Sequence, residues 1–454
     1  MSGLLHLTLN GNFLRSDTMR FLGAFPSLKF LSLSSCMLYA AALAEALASF
    51  TNLKILDLSF NNLTGSIPTE IQTMSSLQVL SLAGNSLDGV LPEYGLCELK
   101  KLQELDLHAN NFEGNLPQCF DKFSSLKLFE ISSNKFSGII PPSLISNLTS
   151  LEYLDFSHNK FEGALSFSSF ANHSKLEVVE FISDNDKFEV ETQEPIGWVP
   201  MFQLKVLLLS NCNVNRAKGR VVPSFLRSQH KLRVLDLSHN FLDEPFPTWL
   251  INNNTMLEVL NLRNNSFGDR IHMPPYRNVH LRKLDISGNH MIGTIPSDIG
   301  KFFPDLNFLN LSRNALSGDF PSSIANMSAL IILDLSDNEI SGEVPQELFT
   351  GFFQEWYAKV YVKDKNVSDR LRDVVGSWFG DIEAVPHFLA TNGEKYGSEG
   401  LNKSSNGTQG KPNSLCALFW KNTYTLIAIR EETTLGMFGK VIVIIVAALA
   451  SENR

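Results

Sequence analysis

Apolar residues along most of this chain recur in one short unit, L-x-x-L-x-L-x-x-N, with polar residues between the leucines. The unit opens at Leu4, Leu28, Leu53, Leu77, Leu102, Leu126, Leu151, Leu176, Leu204, Leu232, Leu257, Leu281, Leu306 and Leu330, fourteen times in all. Successive openings are 24 or 25 residues apart, except for two units of 28 that open at Leu176 and Leu204. The L-x-L core alternates, so it predicts a short strand whose leucines share one buried face. The ninth place is Asn in eleven units, from Asn12 and Asn61 to Asn338, and Cys36, Asp184 or Cys212 in the other three. An Asn side chain both donates and accepts, which suits it to satisfying buried backbone where the chain leaves the strand. Cys there is a small buried hydrophobe with a weak donor. Eight units add Gly four residues later, Gly65 to Gly342, and eight add Pro seven residues later, Pro68 to Pro345. Gly opens a turn closed to other residues, and Pro fixes φ without needing a donor.

No single unit can bury its own apolar face, so the units must stack. A fixed period of this length predicts a leucine-rich repeat solenoid: a curved right-handed coil with a parallel β-sheet on the concave face. The solenoid is expected over residues 1–350, and residues 351–454 fall outside the period as an irregular, partly disordered tail. Within that tail "TNGEKYGSEGLNKSSNGTQGKPNS", from Thr391 to Ser414, has almost no apolar residue and is expected to be disordered.

The "G-x-I-P" signature resembles the plant-specific leucine-rich repeat. The runs "NNTMLEVLNLRNNSF", "GLCELKKLQELDL" and "GNLPQCF" are similar to those of plant receptor-like proteins, over Leu4 to about Leu348. The resemblance implies a repeat ectodomain without a kinase, tethered by one membrane helix and facing the cell exterior. It also implies a peptide or protein ligand and signalling through a partner receptor kinase in plant defence or development. Family members carry a signal peptide and a cysteine-bearing cap, whereas "MSGLLHLTLNGN" enters a repeat at once. The apolar run "VIVIIVAALA" is ten residues long, about half of the ~20 that cross a bilayer. The expectation is an incomplete copy of the family pattern.

The net charge of −9 argues against a nucleic-acid partner. The basic group Arg216, Lys218 and Arg220 reads as a solvated loop. Of the five cysteines, Cys36 and Cys212 stand at the Asn place and read as structural. Cys97 and Cys119 fall at similar places in successive coils, as a disulfide or as two thiols. Cys416 has no evident partner.

Phosphate-loop, nucleophile-elbow, zinc-protease and kinase motifs are all absent from the sequence. The reading is therefore a non-enzyme with no cofactor and no metal. Asp57, Asp106, Glu130, Asp155, Glu180, Asp236, Asp285 and Asp334 share the x of L-x-L on the concave face. They form either an acidic ligand ladder or a repeated filler bonded to neighbouring serines, with some carboxyl pKa values raised by stacking. Of ten N-x-[ST] sequons, Asn147, Asn172, Asn253 and Asn326 lie four residues before the next opening Leu, off the concave strand. Asn310, by contrast, sits on that strand. The seventh to ninth units break the concave run of Asp and Ser: Tyr153 faces outward, Ile182 replaces the usual Ser after L-x-L and Leu208 the usual Asp within it, as an interaction patch or as drift in irregular repeats. The leading function is a recognition ectodomain with its ligand there. A soluble inhibitor of an extracellular enzyme and a truncated, non-functional family member are the alternatives.

Overall fold

The structure, a computed structural model, describes residues 3–14, 22, 25, 27–39 and 49–344, together with strands Tyr357–Tyr361 and Val441–Ile445. These belong to one compact unit. The segment 391–414 and Cys416 lie outside the described residues.

Each opening leucine is followed two residues later by a strand. The fourteen are β1 (His6–Thr8), β2 (Phe30–Ser32), β3 (Ile55–Asp57), β4 (Val79–Ser81), β5 (Glu104–Asp106), β6 (Leu128–Glu130) and β7 (Tyr153–Asp155). The series continues through β8 (Val178–Ile182), β9 (Val206–Ser210), β10 (Val234–Asp236), β11 (Val259–Asn261), β12 (Lys283–Asp285), β13 (Phe308–Asn310) and β14 (Ile332–Asp334). All pair in parallel and in sequence order, so that each residue faces its equivalent in the next repeat. From the tail, Val441–Ile445 pairs with β14 and Tyr357–Tyr361 pairs with it in turn.

The L-x-L leucines point inward and are buried, as at Leu56, Leu58, Leu105 and Leu107. In the sixth to eighth repeats phenylalanine takes one of these places, and Phe129, Phe156 and Phe181 pack edge to face with ring centroids 5.0 and 5.8 Å apart. In the first repeat Leu7 and Leu9 are only half-buried, with a described coil on one side alone.

The Asn place works as a ladder. Asn134 Nδ2 donates to Leu107 O, Ile131 O and Ser132 O, and its Oδ1 accepts from Phe112 N, at 2.9–3.1 Å. Each such side chain thus ties its own coil to the preceding one through buried backbone groups. At Cys212 the thiol takes over the donor role, to Phe181 O at 3.1 Å and Ser210 O at 3.3 Å. Asp184 cannot do this, since an ionised carboxylate has no proton to give. It turns outward to His158 instead, and Asn185 reaches Phe161 O at 3.2 Å.

After the ladder residue the chain makes a second set of parallel strands, among them Ser86–Val90, Asn111–Gly114 and Lys135–Gly138. The repeat glycines allow this turn: all eight, Gly65 to Gly342, have φ between 76° and 84°. Pro68, Pro92, Pro117, Pro141, Pro247 and Pro321 then cap short helical turns on the far side of the coil.

Burial pushes the Cys212 thiol well above its usual range. Iodoacetamide should therefore leave Cys212 unlabelled in the native chain and modify it in denaturant, as peptide mass spectrometry can read.

Candidate ligand-binding face

Three columns of outward-facing side chains line the concave sheet at its centre. One column, from β6 to β10, is apolar: Leu128, Tyr153, Val178, Val206 and Val234 stand in register, each half-buried. Beside it runs the x of L-x-L, which reads Glu130, Asp155, Glu180, Leu208 and Asp236. The third column lies two residues further on, with Ile182 opposite Ser210. Tyr153, Ile182 and Leu208 thus fall on three adjacent strands, one in each column.

Tyr153 faces outward, as the sequence places it, and is half-buried, with its hydroxyl hydrogen-bonded to the Glu130 carboxylate on β6. A tyrosine is long enough to lean across a parallel strand spacing of ~4.8 Å, and it adds its hydroxyl to the bonds that Ser132 already gives the Glu130 carboxylate. Ile182 and Leu208 are half-buried too. The patch is a shallow floor of apolar groups, without raised knobs.

Along the acidic column Asp57, Glu130 and Asp285 each accept from the serine hydroxyl two residues on, at 2.6, 2.5 and 2.6 Å, and Asp155 accepts from the Ser157 amide at 2.8 Å, as the filler reading requires. At Glu130, Asp155 and Glu180 three carboxyls stack on successive strands. Burial first, and then the Asp155 charge between them, push Glu130 and Glu180 up to about 7. His108, one strand further, is raised by its hydrogen bond to Asp106.

A carboxyl with a raised folded pKa favours folding below its unfolded value, and that contribution is lost as pH rises through the folded pKa. From about pH 4.5 to about 7, Glu130 and Glu180 should progressively lower stability. His173 and His239, both held low by burial, act in the opposite sense. The double variant Glu130→Gln/Glu180→Gln should gain in melting temperature over the parent at pH 8 and gain little at pH 4. Equal shifts at both pH values would contradict this.

The other sites lie elsewhere. Cys97 and Cys119 form a disulfide with Cα atoms 5.7 Å apart, joining the helical turns of the fourth and fifth repeats. Asn147, Asn253 and Asn326 are the last residues of helical turns, and Asn172 directly follows the residue that caps another. Asn310 is on β13, its Oδ1 held by the amide and hydroxyl of Ser312. Among the described residues no group of His, Cys, Asp and Glu could hold a metal ion. No helix among them is long and apolar enough to cross a membrane.

One element of the structure lies outside the repeat pattern. The first long repeat carries an extra strand, Phe188–Glu191, paired with Gly163–Ser166, and then a loop over 192–201. The signal available was the apolar run "PIGWVPM" inside a lengthened unit.

A family model described as a leucine-rich repeat region matches residues 16–245, and a second leucine-rich repeat model matches 279–340. Receptor-like protein 14 of Arabidopsis thaliana is 38% identical over 188 residues, which are 41% of this chain and 18% of that protein. Receptor-like protein 1 of Arabidopsis thaliana is 42% identical over 164 residues, 36% of this chain and 14% of that protein. Cuscuta receptor 1 of Solanum lycopersicum is 37% identical over 184 residues, 40% and 16%. The matched stretch thus spans less than a fifth of these relatives' length. Among solved structures, PEPR1-AtPEP1 superposes with a TM-score of 0.59 and 28% identity, over 76% of this chain and 50% of that one. The plant peptide hormone receptor RGFR1 in complex with RGF2 gives 0.55 at 24% identity, over 77% and 62%, and supports the fold alone.

Proposed function

Because the chain belongs to the leucine-rich repeat family, with repeats like those of plant receptor-like proteins, we propose that it is a non-catalytic recognition ectodomain. It binds a peptide or protein ligand on its concave face, over β6 to β10, and acts with a partner receptor kinase at the cell surface in plant defence or development. The observation that carries this reading is the register of Tyr153, Ile182 and Leu208 with the stacked carboxyls: an apolar floor beside charge on a preformed sheet. Apolar groups with a polar rim mark interaction sites, and aromatic residues are favoured anchors.

The test uses synthetic peptides selected from a library of secreted plant peptides by the purified full chain. Tyr153→Ala and Leu208→Asp should each weaken binding by more than ~1 kcal/mol, about fivefold, and Asp57→Ala on β3 should change little. Equal effects at all three positions, or none at Tyr153 and Leu208, would remove this face from consideration.

A secreted ectodomain also predicts its glycans. After expression through a secretory pathway, mass spectrometry should find Asn147, Asn172, Asn253 and Asn326 occupied. Bare asparagine at all four would count against secretion.

A further inference from the structure

We propose that Glu180, at the centre of the concave sheet, anchors a lysine or arginine side chain of the peptide ligand, so that this face selects cationic peptides. This rests on the ligand lying across β6 to β10. In the acidic column every carboxylate but one is held by its own repeat. The amide two residues on donates to the other seven, from Asp57 and Asp106 to Asp285 and Asp334, at 2.8–3.2 Å. For Glu180 that amide belongs to Ile182, and it donates to Ser157 Oγ at 3.1 Å instead. β8 continues as strand to Ile182, paired with Ser210, which aims the amide at the neighbouring repeat and away from its own acid. Among the described residues no other donor and no cation reaches the Glu180 carboxylate, whose charged neighbours are the acids Asp155 and Glu130. Asp155 is 8% exposed; one of its oxygens takes the Ser157 amide at 2.8 Å, and the other has no donor among the described residues. A carboxylate drawn out of water without a donor is costly, and burial with the Asp155 charge pushes Glu180 up to about 7. A cation on the ligand supplies the partner that the fold withholds.

The neighbours of Glu180 define the shape of that cation. Val178 and Ile182 flank it along β8, Leu208 stands opposite on β9 and Asp155 opposite on β7. Three apolar sides and one acidic side suit a long side chain, with its methylenes on the apolar groups and its charged head on the carboxylates. A peptide's N-terminal ammonium has no such stem. Charge over the wider face has the same sign. From β6 to β10 the three outward columns hold Glu130, Asp155, Glu180 and Asp236, and neither Lys nor Arg. One residue before the strands, Lys127, Lys205 and Arg233 are matched by Glu152, Glu177 and Glu258, and two of these pairs are in contact. The unbalanced charge is therefore negative, which steers a cationic partner. Among the described residues no group of His, Cys, Asp and Glu could hold a metal ion, which leaves an organic cation.

The full chain is panned against a random-peptide phage library, and the recovered peptides are synthesised with the N-terminus free or acetylated. They should carry Lys or Arg next to apolar residues. In fluorescence anisotropy at pH 8, Glu180→Gln should weaken binding at least tenfold, and norleucine in place of the peptide's cation should weaken it as much. The two changes together should cost little more than either alone, as for groups in contact. Asp57→Asn and N-terminal acetylation should both leave affinity unchanged. Glu180→Gln removes a charge but no bond, so the variant should melt no lower than the parent. If Tyr153→Ala and Leu208→Asp weaken binding and Glu180→Gln does not, the proposal is overturned while the concave face stands. If none of the three matters, both fall. Acetylation that abolishes binding would overturn the proposal by assigning the cation to the terminus. Equal losses at Asp57→Asn and Glu180→Gln would overturn it by leaving only a general field.

Discussion

Asn134→Leu is expected to destabilise the solenoid by about 4 kcal/mol, although leucine has as many side-chain heavy atoms as asparagine. The change removes no apolar packing. It strips Leu107 O, Ile131 O, Ser132 O and Phe112 N of a buried partner at once. Each orphaned buried group costs about 1–3 kcal/mol, and carbonyls with a second partner sit at the lower end. Asn62, exposed and next to ladder residue Asn61, provides the control: Asn62→Leu should stay within about 0.5 kcal/mol of the parent. Because a repeat contacts only its neighbours, the damage should be local. Hydrogen exchange should accelerate over the fifth and sixth repeats and remain slow beyond the ninth. Uniform acceleration along the chain would show that the ladder acts globally.

Removing the disulfide should cost nearly as much, by a different route. Cys97 and Cys119 close a loop with a sequence separation of 22, for which the chain-entropy estimate is roughly 3 kcal/mol. Cys97→Ser/Cys119→Ser should lower the denaturation midpoint accordingly, and added reductant should do the same to the parent but nothing to the variant. The bond joins helical turns away from the concave strands, so peptide affinity should be unchanged. A melting curve indifferent to reductant would show that the bond does not form in solution.

Much of this architecture is legible in the sequence because each repeat position carries one physical duty. A leucine every second residue requires a strand with one buried face, and all fourteen strands start two residues after the opening leucine. The glycine four places after the ladder residue requires positive φ, and the structure has it at every such position. What depends on a neighbouring coil is harder to read. Tyr153 is half-buried because Glu130 stands beside it one repeat earlier, 23 residues away in sequence, and its own unit does not record that. The same holds for Glu180, whose carboxyl is raised by burial and by Asp155 on the next strand. The loop over 192–201 lies further still from the pattern. Its anchor Trp198 packs against Phe167 and Phe225, which belong to different repeats and carry no repeat-specific mark.

The claim that the concave centre receives the ligand has a direct test in hydrogen exchange on the full chain, with and without a library-selected peptide. Slowed exchange is expected in β6 to β10, around Leu128–Glu130, Tyr153–Asp155, Val178–Ile182 and Val206–Ser210, and no change in β2 to β4. Protection confined to other strands, or to the helical turns on the far side of the coil, would contradict it.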